Sequence, residues 1–246
     1  MTKNIAAASI AILLVNSAHA GGAAWSYDGQ RGAAPDQWGS ISAACQGAQQ
    51  SPVNIITNDA INADLTKIKF NWRTSALQIN NNGLTVQANY NAGSSISVNG
   101  SDFELLQFHF HAPSEHAVNG KLYDMEAHFV HKAANGSLAI IAVFIDEGKE
   151  NKALAPIWNN MPEQIETKDI VAVNIDGDDL LPRNTKEYFH YRGSVTTPPC
   201  SETVSWYVLQ KPIEASPEQI QQFSQLIRAN NRPLQALNRR FVLNRN

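Results

Sequence analysis

Five of the chain's seven histidines, His109, His111, His116, His128 and His131, fall between positions 109 and 131. Neutral imidazole is the commonest protein ligand for a transition metal, so crowding of this kind needs a cause. His109 and His111 stand two apart in a predicted strand, which sends both rings out from the same face. A third partner follows from hairpin arithmetic. If Asn119-Gly120 centres a regular turn, residues whose numbers sum to 239 face each other, and His128 sits opposite His111. Directly opposed Cβ atoms lie about 5 Å apart and diagonal ones about 7 to 8 Å, close enough for three imidazoles to converge on one ion. Pro113, between His111 and the turn, is the residue that could break this ladder.

The same parity supplies supporting groups. Gln107 shares a face with His109, and Glu126 shares one with His128; metal-bound histidines usually give their other ring N–H to such an acceptor. Three neutral imidazoles with a fourth position left open favour one zinc ion per chain, in a catalytic rather than a structural site. His131 points to the opposite face of its strand from His128. His116 and His190 share neither the face nor the spacing and are read as structural.

These residues need a scaffold. Residues 1–20 read as a cleaved signal peptide: Lys3 gives a positive start, Ile5 to Val15 an apolar stretch, and Ala18-His19-Ala20 a small-x-small cleavage site. The apolar stretch falls short of the roughly 20 residues that a permanent membrane span needs, and no later segment comes close, so no membrane insertion is expected. The destination is the periplasm, or the exterior where the host has no outer membrane. Cleavage leaves residues 21–246, enough for one large core and one domain. The net charge of −3 is scattered along the chain, with no basic stripe for a phosphate backbone, which argues against nucleic acid as a partner. A homodimer is left open. The only cysteines, Cys45 and Cys200, are expected to pair in an oxidising compartment, the alternative being two buried thiols. A loop that long would contribute roughly 5 kcal/mol in the chain-entropy picture.

Short alternating or apolar runs fill the middle of the chain, punctuated by Asn-Gly at 82, 99, 119 and 135. Strands are predicted at 65–72, 76–80, 84–90, 94–99, 103–111, 121–131, 138–145 and 203–210. The fold class is mostly β, a single domain around a large, mainly antiparallel central sheet with a few short peripheral helices. The clearest helix starts at Ser216, where Ser-Pro-Glu-Gln offers an N-cap, a proline at the first helical position and a capping-box glutamine. Its stripe of Ile220, Phe223 and Ile227 reads as core packing.

The block Gln107 to His111 (QFHFH), followed by Ser114-Glu115-His116, Glu126 to His131 (EAHFVH) and Gly193 to Pro199 (GSVTTPP), resembles the α-class carbonic anhydrases in order and spacing. Gln50 to Ile55 and Asn230-Asn231-Arg232-Pro233 match further motifs of that family, and Cys45 and Cys200 resemble the disulfide positions of its bacterial members. The resemblance covers nearly the whole mature chain. It implies that zinc on His109, His111 and His128 serves the reversible hydration of carbon dioxide to bicarbonate by a zinc-bound hydroxide. Thr196 would accept a hydrogen bond from that hydroxide while donating its own to Glu115, and Thr197 would help to seat bicarbonate. Val130, Ile140, Val195 and Trp206 match the apolar pocket for carbon dioxide, though each could equally be plain core. Strict pairing about Asn135-Gly136 sets Ile141, not Ile140, across from Val130; a turn one residue longer or shorter removes the conflict. One departure bears on mechanism: Leu84 stands where many fast members carry a proton-shuttle histidine, and leucine cannot carry a proton.

Two other readings compete. His109-x-His111-x3-Glu115 also fits half of the cupin motif, in which the glutamate ligates iron or manganese, but no second half follows. A non-catalytic binding or storage protein on the same fold is the other, against which stand the intact ligand positions, Thr196 and Glu115. A zinc peptidase is disfavoured because no His-Glu-x-x-His helix is present.

Overall fold

A computed structural model describes residues 25–246; the signal peptide read at residues 1–20 lies outside them. One strand explains the architecture. Leu138–Glu147 (LAIIAVFIDE) is apolar without alternation and buried from Ala139 to Ile145, the signature of a strand covered on both faces. It can sit only in the middle of a sheet, and the others assemble around it.

In chain order the main strands are β1 (Ser75–Asn81), β2 (Val86–Asn89), β3 (Ser101–His111), β4 (Met125–Lys132), β5 (Leu138–Glu147), β6 (Glu166–Ile175), β7 (Tyr188–Gly193) and β8 (Val204–Leu209). They lie in the order β6-β1-β2-β3-β4-β5-β8-β7, extended by Leu243–Arg245 and Ile61–Asn62, in a sheet of 13 strands. Most ladders are antiparallel as expected, but β5 runs parallel to β8 and to Ile213–Ala215. The strands expected at 65–72 and 121–131 are trimmed to Lys69–Asn71 and Met125–Lys132, the latter preceded by the separate two-residue strand Lys121–Leu122. β6 and β7 were not foreseen.

The register between β3 and β4 corrects the hairpin arithmetic. His128 faces His109, and Glu126 faces His111, a sum of 237 rather than 239. The sum of 239 does hold next to the turn, where Ala117 pairs with Leu122 and Val118 with Lys121. There, however, Ala117–Val118 has left β3 to pair with Asn54–Ile55 in a second, three-stranded sheet. The excursion through Ala112-Pro113, a cis peptide, absorbs the two-residue difference. A slip of two preserves the face on which every side chain stands, so the three histidines still share one side. Between β4 and β5 the loop is one residue shorter than strict pairing assumed, and Val130 faces Ile140.

Helix α1 (Pro217–Leu226) begins as its sequence directs. Ser216 accepts from the Gln219 backbone N–H, and the Gln219 side chain accepts from the Ser216 N–H. Its buried Phe223 packs with Trp158 and with Phe110 of β3 at ring separations of 6.0 and 6.2 Å. α1 thus covers the face of β3 opposite to its histidines. The chain after α1 then crosses to the other side of the sheet. Cys45 and Cys200 are disulfide-bonded, with Cα atoms 4.8 Å apart, beside a cluster of Trp25, Tyr27 and Trp38.

Candidate metal centre

His109, His111 and His128 come together from two paired strands, with ring centroids 4.6 to 5.3 Å apart. Each offers a ligand nitrogen, and the three nitrogens lie within 4.8 Å of one another. What orients them is that every ring uses its other nitrogen elsewhere. His109 Nδ1 bonds Gln107 Oε1 at 2.9 Å, His111 Nδ1 bonds the Asn230 carbonyl at 2.8 Å, and His128 Nε2 bonds Glu126 Oε1 at 2.9 Å. Nε2 of His109, Nε2 of His111 and Nδ1 of His128 are left for one another's company. His111 Nε2 is buried and has no hydrogen-bonding partner among the described residues. An unpaired polar atom in the interior costs about 1–3 kcal/mol, which a cation would relieve.

Electrostatics fit the same role. Burial pushes His109 well below the usual imidazole range, a shift that a proton on His111 or His128 would deepen, and burial likewise lowers His111. Both stay neutral, as ligation requires. Burial alone would raise the Glu126 carboxyl, but His116 and His128 hold it well below the ordinary carboxylate range. Glu126 Oε1 accepts from both of these rings, and Oε2 takes the backbone N–H groups of Glu115 and His116 at 2.8 Å. His116 is fully buried and reaches the Tyr191 hydroxyl at 2.6 Å with its other nitrogen, so its place is in the frame of the site.

Glu115 is buried, its Oε1 accepting the Arg232 backbone N–H at 2.8 Å. Its Oε2 lies 3.6 Å from His111 Nε2 and 3.9 Å from His128 Nδ1, yet Glu115 is outside the set of three converging ligands. Oε2 has no hydrogen-bonding partner among the described residues. The expected bond from the Thr196 hydroxyl to Glu115 is not present among the described residues, Oε1 being taken by Arg232 and Oε2 by nothing; Thr196 is buried just before the turn in which the Cys200 N–H donates to the Thr197 carbonyl. Val130, Ile140, Val195 and Trp206 do meet, in one apolar cluster. The Trp206 indole stands edge-on to the His128 ring at 4.8 Å, so this cluster borders the triad. Leu84 is half-buried on the Asn82-Gly83 turn, whose Asn82 Oδ1 accepts the N–H groups of Leu84 and Thr85.

Sequence reasoning did not find two contributors, the Asn230 carbonyl behind His111 and the Arg232 N–H on Glu115. Both are backbone groups, which every residue type supplies, so only the match of the Asn230 to Pro233 stretch to a family motif marked the segment.

A sequence model described as eukaryotic-type carbonic anhydrase matches residues 33–246. The chain belongs to the α-class carbonic anhydrase family. A carbonic anhydrase of Nostoc sp. is 45% identical over 227 residues, spanning 89% of this chain and 85% of that relative. The solved α-carbonic anhydrase from Thermovibrio ammonificans, in complex with the inhibitor sulfanilamide, superposes with a TM-score of 0.85 at 43% identity, covering 91% of this chain and 100% of that one. Dioscorin complexed with ascorbate also superposes, with a TM-score of 0.82 at 30% identity over 90% of this chain and 97% of its own. Reversible hydration of carbon dioxide is the reaction of carbonic anhydrases, and zinc is general among them. Family membership, and the place of Glu115 outside the ligand set, tell against a cupin.

Proposed function

We propose that His109, His111 and His128 hold one zinc ion and that carbon dioxide is hydrated reversibly beside it. The observation that carries this reading is the outward hydrogen bond of each ring, which leaves three aimed nitrogens within 4.8 Å. When bound, zinc acts as a Lewis acid that lets water ionise near neutral pH, the behaviour for which carbonic anhydrases are the standard example. The protein's own groups do the rest. Gln107, Asn230 and Glu126 fix the rings; Glu115 Oε2 is left free to accept the Thr196 hydroxyl once the site is loaded, which would leave the Thr196 lone pairs to receive a proton donor. Uncharged carbon dioxide rests on the apolar wall of Val130, Ile140, Val195 and Trp206, and Thr197 helps to seat bicarbonate. Leu84 passes no proton, so the proton released by hydration leaves on buffer and turnover in weak buffer is slow.

The leader at residues 1–20 and a periplasmic destination complete the proposal, supported by a disulfide that suits an oxidising compartment. Among the described residues no helix is long and apolar enough to cross a membrane. Carbon dioxide hydration by metal-quantified protein, run beside His128→Ala, tests the reading. One zinc per chain and fast hydration are expected, with both lost in the variant. Zinc-loaded protein without hydration would place the chain with non-catalytic relatives instead.

A further inference from the structure

Asn-Gly occurs at Asn82, Asn99, Asn119 and Asn135, each time where the chain turns. In such a pair the side-chain amide carbon of asparagine stands beside a backbone nitrogen that no side chain shields, because glycine has no Cβ. Attack by that nitrogen on that carbon is how asparagine loses ammonia. The four pairs have comparable electrophiles. Asn82 Oδ1 accepts the N–H groups of Leu84 and Thr85, and Asn99 Oδ1 accepts the Thr66 hydroxyl at 2.7 Å. Asn119 Oδ1 accepts the N–H and hydroxyl of Thr57, and Asn135 Oδ1 those of Ser137. A donor on this oxygen stabilises the negative charge it gathers when the carbon is attacked.

The nucleophile separates them. Gly83 donates its N–H to Asn81 Oδ1, Gly120 to Asn54 Oδ1 and Gly136 to the Ala133 carbonyl, each at 2.9 Å. The Gly100 N–H meets no acceptor among the described residues. Its turn explains why. Asn99 and Gly100 are the two-residue loop between Ser95–Val98 and β3, with Val98 paired to Ser101 and both loop residues at positive φ, +51° and +74°. The ladder closes at Val98 and Ser101, which leaves the Gly100 N–H outside it. Both loop residues are exposed, and a Cβ on Gly100 would meet nothing within 4 Å, so water and hydroxide reach the nitrogen freely. Local sequence does not supply this distinction, because Asn99 and Asn135 are each followed by Gly-Ser.

We propose that Asn99 is the site of spontaneous deamidation in the folded protein, ahead of the other three pairs. Gly100 N gives up its proton and bonds to Asn99 Cγ. The Cγ–Nδ2 bond breaks, Nδ2 leaves as ammonia with that proton, and a five-membered cyclic imide remains. Water then opens the ring at one of its two carbonyls. Attack at Cγ gives aspartate; attack at the Asn99 backbone carbonyl breaks its bond to Gly100 and routes the chain through Cβ and Cγ as isoaspartate. Both products add a negative charge. Isoaspartate also lengthens the main chain at a tip that Thr66 Oγ1 holds twice, at Asn99 Oδ1 and at the Asn99 N–H. At the other three pairs the same attack must first break the hydrogen bond of the glycine N–H. The reaction consumes only water and is independent of the metal reading.

The test ages the zinc-loaded protein in mildly alkaline buffer, digests it under acidic conditions that halt the reaction, and maps the peptides by mass spectrometry. Replacement of the amide nitrogen by oxygen marks each product, and electron-transfer fragmentation tells isoaspartate from aspartate. The expected rate at Asn99 is at least about fivefold above that at each of the other three pairs. In concentrated urea, where the turns are gone, Asn99 and Asn135 should react at nearly equal rates. Asn54→Ala, which frees the Gly120 N–H, should speed loss at Asn119 by at least about threefold and leave Asn99 as it was. Equal rates at Asn99 and Asn135 in the folded protein would overturn the assignment, as would an intact Asn99 in folded protein whose unfolded chain reacts. Loss at Asn119 unmoved by Asn54→Ala would overturn the free N–H as the cause.

Discussion

His128 and His131 sit three residues apart in β4, both buried, and point to opposite faces of the sheet. On the His128 face the neighbours are two more imidazoles, and each ring spends one nitrogen outward and leaves the other aimed at its companions. On the other face His131 stands alone in the large apolar cluster, its ring stacked on Trp72 at 5.5 Å and its Nδ1 donating to the Phe129 carbonyl. Its Nε2 is as unpartnered as that of His111. Burial and an orphaned nitrogen are thus common to both faces; what separates a binding site from a core residue here is convergence. A single buried imidazole is only a cost to the fold, whereas three that share one focus let a cation repay it.

The sharpest way to break this contrast is to remove one histidine from each face. His128→Ala should lose stoichiometric zinc and lower carbon dioxide hydration by at least about a thousandfold, because the site is left with two ligands. His131→Phe, which keeps the stacking on Trp72, should retain zinc and most of the activity. Metal analysis with stopped-flow hydration on both variants decides it, and a reversed pattern would dissolve the distinction.

A smaller effect is expected in acid. Burial pushes His131 down to about 3, so the folded protein keeps it neutral while the unfolded chain takes up a proton below about pH 6.5. Its contribution is whole above that pH and drains away as pH falls toward 3, at about 1.4 kcal/mol per pH unit. Urea unfolding at pH 4 and pH 7.5 should show a shallower acid loss in His131→Phe, by up to about 3 kcal/mol at the lower pH. Equal acid slopes in the two proteins would contradict the burial argument.

The least drastic change acts through orientation alone. Gln107→Ala removes the acceptor behind His109 without touching a ligand, and zinc affinity should fall roughly 10- to 100-fold. Competition with a chelator measures it; an unchanged affinity would mean that packing, not the hydrogen bond, aims the ring.

Much of the site could be read from parity. Alternation in two strands brings out His109, His111, His128, Gln107 and Glu126, and parity survives a register that is off by two. What could not be read was anything that depends on where the chain goes after His111. The detour of Ala117–Val118 to a second sheet is set by contacts with Asn54–Ile55, some sixty residues earlier, which local turn chemistry does not announce. β6 escaped notice for another reason: most of its residues are exposed, so no apolar rhythm marks it. Family resemblance, not periodicity, chose Ile140 over Ile141, and the shorter loop at Asn135-Gly136 gives the physical reason.

The crossing of the chain after α1 has a consequence for assembly. Asn230 and Arg232, the backbone props of His111 and Glu115, come within the final 17 of 246 residues. A chain cut short after the helix would carry every ring needed to grip an ion, with one ring unsteered and the carboxylate adrift. On the proposed reading, completion of the metal cage is thereby a report that the last stretch of polypeptide has docked.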